Sequence, residues 1–95
     1  MEKLLKIYRQ GDLLLIEDFA QLSENTKVGN ALVVESETGN KHVLMGSVHN
    51  LHGQLYVVVE KPTPLTHPQH PQLIIEPGIY RVEFVRDYAL RRAVD

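Results

Sequence analysis

Apolar residues in this chain come in short bursts, not at helical spacing. Residues 13–16 (Leu-Leu-Leu-Ile), 31–34 (Ala-Leu-Val-Val), 43–45 (Val-Leu-Met), 55–59 (Leu-Tyr-Val-Val-Val) and 73–75 (Leu-Ile-Ile) are separated by polar and turn-forming stretches. Bursts of this length, bounded by Gly, Pro, Asn and Asp, predict strands. In the last of the patterned segments Tyr80, Val82 and Phe84 alternate with Arg81 and Glu83, which predicts one buried and one wet face. The run 13–16 is apolar throughout and predicts a strand central in the sheet or buried on both faces.

The intervening residues punctuate these strands. Residues 3–9 are a first short strand or a frayed end, and Arg9-Gln10-Gly11-Asp12 is a turn leading into residues 13–17. Gly39-Asn40 supplies residues that tolerate positive φ, so residues 31–46 predict a hairpin. Residues 48–53 predict a second turn before the β-branched strand 54–60. Pro62, Pro64, Pro68 and Pro71 predict a stiff, extended connection that is neither helix nor central strand. Pro77-Gly78 predicts a type II turn with Gly at positive φ. Residues 18–30 have weak helical character that gives way to a polar loop, and residues 89–95 fit a helical turn or extended chain equally. Five to seven short strands without a long helix predict a mainly β fold, a small antiparallel β-barrel or a two-sheet sandwich, with residues 1–95 as one domain. An α/β fold would need crossovers of about a dozen residues each, and only 18–30 offers one.

Composition narrows the function. A hydrophobic share of 43% with 23% charged residues is that of a globular protein able to bury a core. The net charge of −2 and the lack of a Lys/Arg run exclude a general nucleic-acid binder, and six aromatics without Trp leave no stacking platform for single strands. Arg81, Arg86, Arg91 and Arg92 do cluster near the end of the chain, as a local anion site or a solvated rim. The absence of Cys excludes disulfides, thiolate catalysis and Cys-type zinc sites and fits a reducing compartment. No apolar run approaches a membrane span, and Met-Glu-Lys-Leu-Leu-Lys-Ile has no signal-peptide pattern, so a cytoplasmic location is expected.

Candidate chemistry rests on histidine. His49/His52 and His67/His70 are pairs at i, i+3, and imidazole is the commonest neutral metal ligand. Neither pair has the i, i+4 helical spacing of a metalloprotease. For His49 and His52 the plainer reading is an exposed polar turn. His67 and His70 are flanked by Pro68 and Pro71, which lower the entropy cost of presenting them to a ligand; the plainer alternative is a loop capped by His-to-backbone hydrogen bonds. With His42 reaching over from the hairpin they form a three-His candidate for zinc. Asp12 either bonds its own turn or lends a carboxylate to the site. Arg86, Asp87 and Tyr88 stand where the alternation ends and are candidate ligand-binding residues at the rim, or an ion pair holding the chain end. No Gly-x-Ser-x-Gly occurs, Ser23, Ser36 and Ser47 lack a suitably spaced base, and the glycines are isolated, so neither a Ser nucleophile nor a phosphate loop emerges.

Several landmarks then line up: Tyr8-Arg9-Gln10-Gly11-Asp12, Thr38-Gly39-Asn40-Lys41-His42, His67-Pro68-Gln69-His70-Pro71, and the segment from Leu73 to Tyr88. In these the chain resembles a family of small uncharacterised bacterial proteins with a Tyr-Arg-Gln-Gly-Asp start, a Thr-Gly-His-x-His turn, a His-x-x-His loop and a Pro-Gly-x-Tyr strand ending in Arg-Glu-Tyr. The resemblance implies that His42, His67 and His70 belong together; it supplies no activity. The chain departs from the pattern at Asn40, where the family has the first His of its turn, at Gln69, often acidic, and at Asp87, usually Glu. The loss at position 40 removes a four-His site and leaves a three-His site or a hydrogen-bonded His cluster.

Three functional expectations follow. The first is a small binding or accessory module with a His-lined site for a metal or an anionic ligand. The second is a hydrolase of phosphorylated or nucleotide substrates, metal-assisted or His-based, using His67 and His70 as ligand or base and Arg86 to stabilise negative charge. The third is an interaction protein whose exposed strand edge pairs with a protein partner or with itself as a homodimer.

Overall fold

The computed structural model describes residues 5–36 and 38–85. They form eight strands: β1 (Ile7–Gln10), β2 (Leu13–Glu17), β3 (Lys27–Glu35), β4 (Lys41–Leu51), β5 (Gln54–Val59), β6 (Thr63–His67), β7 (His70–Ile75) and β8 (Gly78–Phe84). The only other regular element among the described residues is one 3₁₀ turn, Glu24–Thr26. All strand pairs are antiparallel. Seven strands follow the path β1-β2-β8-β5-β4-β6-β7 in a nearly closed barrel, and β3 lies off the path against β4. The fold is thus mainly β and barrel-like, with one strand more than the largest number predicted.

The apolar bursts became strands for the expected reason. In β2, Leu13 and Leu15 are buried and Leu14 and Ile16 half-buried, and the strand sits between β1 and β8. Leu32 and Leu44 face each other across β3 and β4, and both are buried with Val57, Leu65, Ile75 and Tyr80 in the barrel interior. Fully burying a side chain of this kind contributes about 1.5–3 kcal/mol. Tyr80 also satisfies its polar end, donating its hydroxyl to the Glu76 carbonyl at 2.5 Å while its ring meets Tyr8 edge-on at 5.7 Å. Glu83, expected on a wet face, is instead buried, and Arg81 donates to it at 3.1 Å.

The prolines did not make a loop. Pro64 stands in β6, beyond Leu65 and Thr66, the residues through which β6 pairs with β4. Pro71 stands in β7, the last strand of the path, where a missing N–H is tolerated. The polar residues Lys27–Asn30 are strand as well, so β3 begins four residues earlier than its apolar core. Strand β4 continues to Leu51, which shrinks the second turn to His52-Gly53, at φ 53° and 84°. This is the pair of positive φ angles that a tight two-residue hairpin turn requires. Gly78 is not at positive φ; a Cβ there would stand 3.2 Å from the Tyr80 hydroxyl, so close packing is what requires glycine.

The register shows what bends the sheet. Strand β3 lines one edge of β4, while β5 and β6 follow one another along the other edge, pairing Ser47–Leu51 and Val43–Leu44 respectively. Next to them β8 pairs with β5 and β7 with β6. Gly46, residues 60–62 and residues 76–77 therefore lie in one line across the sheet, between the paired rows on either side. A Cβ on Gly46 would stand 2.6 Å from the Val58 backbone oxygen. Glycine, Pro62 and Pro77 thus set a crease where the ladder is interrupted. Folding along it brings β1 round to β7. Among the described residues no helix is long and apolar enough to cross a membrane.

Candidate functional site

Three turns meet at one end of the barrel: Gly11-Asp12 between β1 and β2, the connection carrying Ser36, Thr38, Gly39 and Asn40 between β3 and β4, and Pro68-Gln69 between β6 and β7. Each carries one of the sequence landmarks. His67 and His70 close a two-residue turn and face each other across β6 and β7, so their i, i+3 spacing is a cross-strand pair. His42 lies on β4 opposite Val34, inside the barrel and fully buried. Ring centroids are 4.5 Å apart for His42 and His67, 4.6 Å for His67 and His70, and 6.3 Å for His42 and His70, whose planes are 6° from parallel. The three imidazoles predicted to belong together do converge.

Hydrogen bonds fix two of them. The Gln10 side-chain amide donates to the carbonyls of Leu65 at 2.9 Å and Pro71 at 3.0 Å, closing the seam between β1 and β6/β7. That orientation turns its Oε1 toward His42 Nδ1 at 2.9 Å, so Nδ1 carries a proton and donates. His42 Nε2 lies 3.2 Å from Asp12 Oδ1 and needs a second proton to make that bond. At His67 the Gln69 backbone N–H donates to Nδ1 at 3.0 Å, which leaves the proton on Nε2, 3.3 Å from Ser36 Oγ. His70 is exposed, and its side chain makes no hydrogen bond among the described residues. Its ring packs on Gly11, where a Cβ would come within 2.5 Å of Nε2 and where φ is +59°. Glycine at position 11 thus serves both the turn and the histidine. Thr38 donates to Gln69 at 3.1 Å, a second clasp between two of the turns.

Burial pulls His42 below the ordinary histidine value of 6.5; the Asp12 hydrogen bond opposes this, and the neighbouring His67 adds to the lowering. The folded protein then holds the His42 proton less tightly than the unfolded chain. The associated stability is present above about pH 6.5 and is lost as the pH falls through the lower folded value. A proton NMR titration is expected to place the His42 midpoint below the ordinary histidine value of 6.5, with stability declining by at most about 1.4 kcal/mol per pH unit from this group. A His42 midpoint at or above 6.5 would refute the assignment.

Among the described residues no three His, Asp or Glu side chains are placed to hold a metal ion. The expected zinc ligands are together, but the Gln69 N–H on His67 Nδ1 leaves the proton on Nε2 of His67, so that ring presents no lone pair to a metal. The arrangement is a hydrogen-bonded histidine cluster. Arg86, Asp87 and Tyr88 lie outside the described residues. His49 is buried and donates through Nδ1 to Thr26 Oγ1 at 2.9 Å, because the Thr26 hydroxyl hydrogen goes to the Ser23 carbonyl. It tethers the 3₁₀ turn from within β4, so the exposed polar turn expected for the pair holds for His52, in the His52-Gly53 turn, and not for His49. Gln10 was missed: a glutamine beside a Gly-Asp turn carries no hydropathy signal, and only its place in the Tyr-Arg-Gln-Gly-Asp landmark marked it.

Neither the curated proteins nor the solved structures contain a significant match to the chain. A family model does match, covering residues 9–84, which include all three turns of the histidine end and strands β2 to β8. The chain belongs to that family, described as a domain of unknown function, DUF8820.

Proposed function

We propose that this protein is a small binding module for an organic anion, and that the ligand sits beside the histidine cluster. The observation that carries this is an open depression of about 610 Å³ lined by Asn40, Lys41, Val43, Thr66, His67 and Pro68. Lys41 forms no ion pair among the described residues, although Glu35 stands across the ladder from it. The Asn40 amide and the Thr66 hydroxyl reach their protein acceptors only at 3.5 Å, so both retain hydrogen-bonding capacity for a ligand. Val43 and Pro68 add an apolar floor. A carboxylate or phosphate on a small apolar group fits this set.

Calorimetric titration with phenyl phosphate, using phenol as the uncharged comparison, tests the reading. Phenyl phosphate is expected to bind and phenol not, and Lys41→Met should weaken binding about ten- to a hundredfold. Equal binding to wild type and variant, or no binding at all, would refute it.

A hydrolase of phosphorylated substrates is the second reading, favoured by His70, an exposed imidazole without a side-chain hydrogen bond among the described residues, beside two that are locked. It requires turnover of p-nitrophenyl phosphate that His70→Ala abolishes; wild-type protein with no turnover ends it.

A further inference from the structure

Both ladders of β4 are interrupted at Gly46. On one edge the pairing passes from β5, which reaches Ser47, to β6, which reaches Leu44. On the other, between the pairs Gly29–Val48 and Ala31–Met45, Asn30 of β3 stands alone against Gly46 and Ser47. Two residues against one make a bulge, which re-aims the side chains beside it. A depression of about 290 Å³ opens at this point, and it shares no lining residue with the one beside His67.

Its lining is chemically mixed. Met45 and Val58 supply an apolar side, and Asn30, Ser47, Glu60 and Lys61 supply polar groups of both charge signs. None of these four polar side chains makes a hydrogen bond or an ion pair among the described residues. The backbone beneath them is nonetheless held. Val59 is buried just ahead, Pro62 has a fixed φ, and Thr63 donates its hydroxyl to the Lys61 carbonyl at 2.7 Å. A concavity with an apolar wall and a few convergent, unspent polar groups on a held backbone has the composition of a small-molecule site.

We infer that the crease is a second ligand site, and that its ligand is a free α-amino acid with an apolar side chain. One carboxylate and one ammonium stand at consecutive positions of the lining, so a ligand of single charge is attracted by one and repelled by the other. A zwitterion satisfies both: Lys61 donates to its carboxylate and Glu60 accepts from its ammonium. The Asn30 amide and the Ser47 hydroxyl complete the polar contacts. Met45, 58% exposed, then covers the ligand's side chain together with Val58. The volume is under half of the 610 Å³ beside His67 and lies at the lower end for small-molecule sites, which suits a single amino acid.

An NMR titration with L-leucine reads the crease through the Met45 methyl and the Gly46 and Ser47 amides. Saturable shifts are expected at these three positions. Isocaproate and isopentylamine, which each lack one of the two charges, should bind about tenfold more weakly. Lys61→Met and Glu60→Gln should each weaken leucine binding about tenfold. Both variants should melt as the wild type does, since both side chains are exposed and make no ion pair among the described residues. Leucine that gives no saturable shift up to tens of millimolar, or shifts only elsewhere on the barrel, overturns the inference. Isocaproate binding as tightly as leucine marks a plain anion site and overturns it too, as does either variant binding like the wild type. Phenyl phosphate binding beside His67 is a separate measurement, and neither result there changes this one.

Discussion

Gln10→Leu is expected to destabilise the protein by about 3–5 kcal/mol, although it nearly preserves side-chain volume. The loss comes from what is left behind. The carbonyls of Leu65 and Pro71 lose their donor, and His42 Nδ1–H loses its acceptor, all at a side chain only 3% exposed. Each buried group left unpaired costs about 1–3 kcal/mol, and the effects overlap because one seam is opened. Urea denaturation of wild type and variant measures the difference. A loss under about 1 kcal/mol would show that water replaces the amide and that Gln10 does not close the barrel.

Gly46→Ala is expected to cost about 3 kcal/mol. The new methyl would stand 2.6 Å from the Val58 oxygen and 3.2 Å from Val57 Cγ2. The oxygen is backbone within the β4–β5 ladder and retreats only if pairing on that side of the crease is lost. Gly29→Ala is the matched comparison, because space around that position is open and the same loss of glycine flexibility applies. Denaturation midpoints that shift equally for the two variants would remove the crease from the account of the fold.

Much of the barrel was legible in the sequence because burial on one face leaves a mark of period two or an unbroken apolar run. Strands β2, β4, β5 and β8 carry that mark. Strand β3 was legible only from Ala31 onward, since an edge strand exposes its ends and needs no apolar residue at Lys27 or Asn30. Pro64 and Pro71 hid β6 and the first half of β7, whose Leu73–Ile75 end was legible as an apolar burst: a residue without an N–H forbids a central position but not one outside the paired stretch, and sequence does not say which strand will be last. The convergence of His42, His67 and His70 followed from the resemblance, not from spacing, because separations of 25 and 28 residues depend on hairpin closure. Their protonation and tautomers were hidden, being set by Gln10, Asp12 and the Gln69 backbone, whose roles exist only once three turns have met.

The seam that Gln10 closes also orders events along the chain. Within residues 27–84 the partners are sequence neighbours or, for β4–β6 and β5–β8, lie within about 25 residues, so each strand there finds a partner at short chain separation. The β1–β2 hairpin is different: its partner strand is β8, more than sixty residues away, and only after it docks does Gln10 reach Leu65 and Pro71. Until then His42 lacks both its acceptor and Asp12, and His70 lacks the glycine it rests on. The histidine end is therefore the last part of the molecule that can be complete: His67 can take its bonds from Gln69 and Ser36 earlier, but those of His42 form only when the first hairpin of the chain has joined the rest.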